Sequence, residues 1–258
     1  MWIDGKIMVE TSQVLGFFSG QKCYNAIKYI GFRVSIHINR RTGEEYMNTL
    51  GYLIHFYRNE NYLFQTVTMV ADDQRDEVLD SIVDSKSWYW GRYSASDRAA
   101  YMNRRIAVEQ MLYDEFEKSH WPLTNRFPVY LYLIPGFLPD TIEREIEQRQ
   151  KFQENDTKYL VFDLDQIKDR KNVTFTVNDS LRSYRRKLLL AGIPCRELQG
   201  NHPELPDYGK IFHIDDIEKV YSRYANIPDL RFEVQVWDHR ILRKLLDEND
   251  LKLDDMEI

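Results

Sequence analysis

The chain has 258 residues, a net charge of −6, and 43% apolar against 29% charged residues. That length suits one large domain or two modest lobes, and the composition is that of a globular protein able to bury a sizeable core. Net acidity argues against nucleic-acid binding by bulk attraction, and no apolar run reaches the ~18–20 residues of a membrane span.

The opening Met1-Trp2-Ile3-Asp4-Gly5-Lys6 lacks the basic-then-apolar order of a signal peptide, so a cytoplasmic location is expected. Asp4-Gly5 between short apolar pairs predicts a small hairpin. A short helix over 22–30 precedes three alternating segments, 33–39, 50–56 and 62–70, separated by turns at Thr42-Gly43 and Asn59-Glu60-Asn61. Their alternation predicts an antiparallel meander.

Helices follow. Asp72 or Asp73 is placed to cap a helix with Val78, Leu79, Ile82 and Val83 inside. Ser94 or Ser96 is expected to start the longest helix, running to about Lys118. There Met102, Ile106, Met111 and other apolar positions face inward, leaving Arg104, Arg105 and Glu109 for solvent. Phe127 to Ile134 reads as a buried strand ended by Pro135-Gly136, and Asp140 to Glu143 has the spacing of a capping box. Gln153-Glu154-Asn155-Asp156 marks the expected boundary between an N-terminal lobe, 1–153, and a C-terminal lobe, 154–258, unless the whole is one compact domain.

In the second half, strands are expected at 159–164, 173–177, 210–214 and 230–236. Between them, Ser180 caps a helix with Leu181, Tyr184 and Leu188 to Leu190 inside, stopped by Gly192-Ile193-Pro194. Ile217, Val220, Tyr221 and Tyr224 share one helical face, and Asp238 caps a last helix. The class is α+β: an antiparallel meander with helices first, mixed elements after.

Residues 61–120 carry seven Lys/Arg against eleven Asp/Glu, concentrated in Asp72, Asp73, Asp76, Glu77, Asp80 and Asp84. A second acidic run closes the chain. Beside the first lie Trp88, Trp90 and Tyr93, residue types that anchor binding interfaces and offer cation–π contact to Arg or Lys. Together they predict a non-enzymatic protein whose acidic, aromatic-anchored surface holds a basic segment of a partner, one that itself binds RNA or DNA, and so inhibits or regulates it. The plain alternatives are a solvated acidic face and a loop whose tryptophans plug the core. A homodimer is compatible with the amphipathic elements.

Two other constellations carry chemistry. Tyr159-Leu160-Val161-Phe162-Asp163-Leu164-Asp165, a hydrophobic strand ending in Asp-x-Asp, resembles the first motif of haloacid-dehalogenase-type phosphatases. The resemblance implies Asp163 as nucleophile, Asp165 as acid/base and a bound Mg²⁺, with Asp215 and Asp216 as later metal-binding acids. It covers only these strings, and Gln166-Ile167 stand where the family has Gly-Thr. The other reading of the same carboxylates is a strand end and a helix cap. The basic helix 181–191, with Arg182, Arg185, Arg186 and Lys187 around Tyr184, offers a third function, RNA binding. The six histidines and two cysteines, Cys23 and Cys195, form no metal or nucleophile motif, and both thiols are expected reduced.

Overall fold

The computed structural model describes residues 2–3, 6–7, 51–83, 90–118, 126–135, 158–195, 204–224, 226–227 and 230–248. The expected helix at 22–30, the strand at 33–39 and the capping box at 140–143 lie outside them. Trp2–Ile3 (β1) and Lys6–Ile7 (β2) form the predicted antiparallel hairpin.

A six-stranded, wholly antiparallel sheet organises the described residues. It comprises Gly51–Tyr57 (β3), Val129–Pro135 (β4), Lys158–Asp163 (β5), Val173–Val177 (β6), Phe212–His213 (β7) and Phe232–Val236 (β8), in the order β5-β3-β4-β8-β6-β7. Together with six helices it makes an α+β fold. Strands from before and after the expected boundary at 153–154 are direct neighbours, since β4 pairs with β8.

Register explains the core. Val129, Leu131 and Leu133 lie opposite Val236, Val234 and Phe232, and these face Val173, Phe175 and Val177 in turn. With Leu53, Leu160 and Phe162 they make one apolar face. It is covered by Ile217–Ser222 (α5) and His239–Glu248 (α6), through Ile217, Val220, Leu242, Leu245 and Leu246. The opposite face is covered by Arg75–Ile82 (α1), Arg98–Lys118 (α2), Ser180–Ser183 (α3) and Arg185–Leu190 (α4). Here Trp237 stacks on Phe116, centroids 5.1 Å apart, and its indole N–H donates to Thr174 at 2.9 Å.

Four local expectations change. Residues 62–70 form turns, not a third meander strand, because Leu63 and Phe64 are both buried in the same core, which two-residue alternation forbids. Helix α1 begins after Gln74 without a side-chain cap, and Asp72 instead pairs with Arg75 at 2.5 Å. Asp179, not Ser180, caps α3 by accepting from Leu181 N at 2.9 Å. Leu189 and Leu190 are exposed, 51% and 81%, because α4 ends there in a left-handed turn at Gly192, φ 76°, with Ile193 N donating to Leu188 O. Asp238 does cap α6, accepting from Arg240 N at 3.1 Å.

The register of α2 is the largest correction. Tyr101, Val108, Leu112 and Phe116 form the inward seam, and the same seam buries Arg105 and Glu109, while Ile106 is 42% exposed. Arg104 is also buried, and Met102 is buried as predicted. Leu112→Ala is therefore expected to cost about 2–5 kcal/mol and Ile106→Ala under about 0.5 kcal/mol in urea titrations.

Candidate functional site

The sheet face beneath α2 is polar at its centre. Alternation that places Phe232, Val234 and Val236 in one core puts Glu233 and Gln235 on the other side, next to Thr174 and Thr176, all buried. Gln235 accepts from Thr174 Oγ1 at 3.1 Å and donates to Thr176 Oγ1 at 3.2 Å, so its amide is satisfied. Glu233 Oε1 accepts from Ser180 N at 3.1 Å.

Helix α2 lowers Arg105 and Glu109 into this layer. Their i, i+4 spacing puts Nε and Oε1 3.3 Å apart. Arg105 Nη1 donates to Ser180 Oγ at 3.0 Å, and its guanidinium carbon lies 3.5 Å from the Tyr130 ring centroid. Thr66 Oγ1 donates to Glu109 Oε1 at 3.4 Å and lies 3.0 Å from Thr68 Oγ1. Tyr130 and Thr68 lie near enough to favour the charged form of Glu109, yet Glu109 Oε2 and Tyr130 Oη, both buried, complete no well-formed hydrogen bond.

Burial sets the ionisation here. It lifts the Glu109 carboxyl above its usual range against the opposing pull of Arg105. Glu233 is pushed up to about 7, by burial first and Asp179 second. Burial opposes the charge on Arg105, but the surrounding tyrosines, Glu233 and Glu109 hold it firmly cationic. His55 is held below its ordinary value by burial, although the carbonyls of Tyr130 and Leu63 both face its ring.

The predicted acidic surface is only partly assembled. Asp76 and Asp80 both accept from Arg98, Asp76 at 2.8 Å, while remaining 81% and 68% exposed. Asp73 and Glu77 are exposed on the same stretch. Asp84 and Trp88 lie outside the described residues, and Trp90 opens a short 3₁₀ turn, Trp90–Tyr93. Tyr93 is buried, edge-on to Tyr101 at 5.2 Å, with Arg92 over both rings. It packs the base of α2 and offers a partner no aromatic platform.

Two of the four phosphatase-like carboxylates meet. Arg170 donates to Asp165 at 2.9 Å and lies 3.5 Å from Asp215, so turns that follow the two edge strands share one guanidinium. Asp163 Oδ1 is taken by Asp165 N at 2.9 Å, and Asp216 precedes α5 without a side-chain cap bond. An internal cation thus sits between Asp165 and Asp215, and among the described residues no cluster of three or more His, Cys, Asp or Glu is placed to hold a metal ion. On the basic helix, Arg186 is exposed, Tyr184 is fully buried, and Lys187 is engaged by Glu115 and Gly209 O. Cys195 is buried, and its Sγ donates to Ile193 O at 3.4 Å.

The chain matches no protein-family model, no curated protein and no solved structure. No helix among the described residues is long and apolar enough to cross a membrane.

Arg105, Glu109 and Glu233 escaped the sequence reading, although the seam Tyr101-Arg105-Val108-Leu112-Phe116 carried the signal. Arg105→Met is expected to destabilise by about 3–5 kcal/mol, by leaving the buried Glu109 unpaired. Glu233 makes a separate prediction in pH. Its unfolded value lies near 4.5 and its folded value near 7, so between them the unfolded state binds fewer protons and stability falls as pH rises. Relative to Glu233→Gln, the wild type should lose stability across that window at up to about 1.4 kcal/mol per pH unit, read by denaturant titration.

Proposed function

We propose that this is an interaction protein that uses the acidic face of α1 to hold a basic segment of a partner protein and thereby restrain it. The observation that carries the reading is the Arg98 clamp. By bonding both Asp76 and Asp80 it holds two largely exposed carboxylates on one helical face. Glu77 lies beside them on α1 and Asp73 in the turn that leads into it, both exposed.

Counted with Asp72, this face has five carboxylates against Arg75 and Arg98, a surplus of three negative charges. Such a surplus steers a Lys- or Arg-rich segment toward it and makes the encounter salt-dependent. Because Tyr93 is buried, the contact rests on charge more than on aromatic anchoring. Segments rich in Lys and Arg are those that grip phosphate, so a partner held this way would be hindered from binding RNA or DNA.

Asp73→Lys with Glu77→Lys leaves the Arg98 clamp in place and isolates the outer charge. Capture from nuclease-treated lysate, with retained proteins identified by mass, should recover a basic protein that leaves in high salt. The double variant should hold it at least about tenfold more weakly at low salt. Equal retention by both proteins would sink the proposal.

A further inference from the structure

A cavity of about 110 Å³ opens between α1, α2 and the sheet. That is well above the ~10–15 Å³ needed to admit a single water, so it has room for several waters or a small ligand. Val78 and Ile82, on the inner side of α1, line it, so one short helix presents acid outward and roofs a cavity inward.

The lining charges are Arg58, Arg92 and Arg105 against Asp179 and Glu233. The two carboxyls are already engaged: Asp179 caps α3, and Glu233 accepts from Ser180 N. Arg105 is not fully used. Its Nε faces Glu109 and its Nη1 bonds Ser180, but Nη2 has no partner among the described residues. A guanidinium held in place by a ring face and two bonds, with one terminal nitrogen left over, is pre-organised for an oxyanion. Tyr57, Tyr101 and Tyr132 supply aromatic wall.

We propose that this cavity binds a small organic carboxylate, planar or aromatic in its body, with its oxyanion on Arg105. The site does not depend on the partner-binding proposal above. Glu233 is the proton-bearing group of the site: Asp179 and Arg105 face it, and Tyr130 lies beside it. An incoming anion repels ionised Glu233 and tolerates the neutral acid, so binding takes up a proton and weakens as pH rises past neutrality.

The test uses the full chain and benzoate as probe, by titration calorimetry at pH 6 and pH 8, with inorganic phosphate as control. Saturable benzoate binding with Kd of about 0.01–1 mM at the lower pH is expected, roughly tenfold weaker at the higher, with phosphate weaker still. Arg105→Lys keeps the charge but lacks the planar fork, and should weaken benzoate by about tenfold or more. Glu233→Gln should bind equally at both pH values. No saturable benzoate binding by folded wild type up to about 10 mM overturns the proposal, as does tighter binding of phosphate than of benzoate. Unchanged affinity in folded Arg105→Lys also overturns it. Should that variant not fold, Glu233→Gln decides: a pH dependence identical to wild type overturns the site.

Discussion

One guanidinium, buried where a 21-residue helix crosses a sheet, sets the terms for everything around it. Arg105 cannot shed its proton, so it persists away from bulk water only if its charge is matched and most of its donors are met. Glu109 matches the charge from one helical turn away, Ser180 takes a donor, and the Tyr130 ring covers the flat face. The last two bind different elements to α2: Ser180 opens α3 and Tyr130 lies in β4. The cluster therefore fixes the rotation of α2 about its axis, and with it which residues become core.

The two faces of the sheet answer to different physics. One is a continuous apolar layer whose strength comes from area removed from water. The other has a polar centre of threonines, a glutamine and charged groups, satisfied mostly by one another. Such a centre is less forgiving, because each lost partner strands a buried group. It is also where ionisation can be tuned. Glu233, in a strand paired on both sides, is pushed up to about 7 by burial and the neighbouring Asp179.

Helix α1 joins the two proposed functions of the molecule in space. Its outer face carries carboxylates steadied by Arg98, and its inner face, through Val78 and Ile82, meets the cavity floored by Arg105. Arg98 and Arg105 belong to the same helix, two turns apart, and act in opposite settings. The first lies near solvent, where screening limits what its ion pairs contribute. The second is dry.

Much of the fold was legible from the residues alone. Alternation located β3, β4, β5, β6 and β8 within a few residues, Asp238 announced α6, and Gly192 ended α4, because each of these is set by local periodicity or backbone chemistry. What no local pattern could supply was coverage. A strand such as Phe232–Val236 looks half-solvated when its Glu233 and Gln235 are taken to face water, and becomes fully buried once α2 lies across it. The rotation of α2, the turns at 62–70, the burial of Tyr93 and the meeting of Asp165 with Asp215 at Arg170 were likewise decided by tertiary packing. Sequence determined where elements form and where acid accumulates. Only the assembled layers decided which charges are dry, since burial belongs to the neighbours a residue acquires and not to the residue itself.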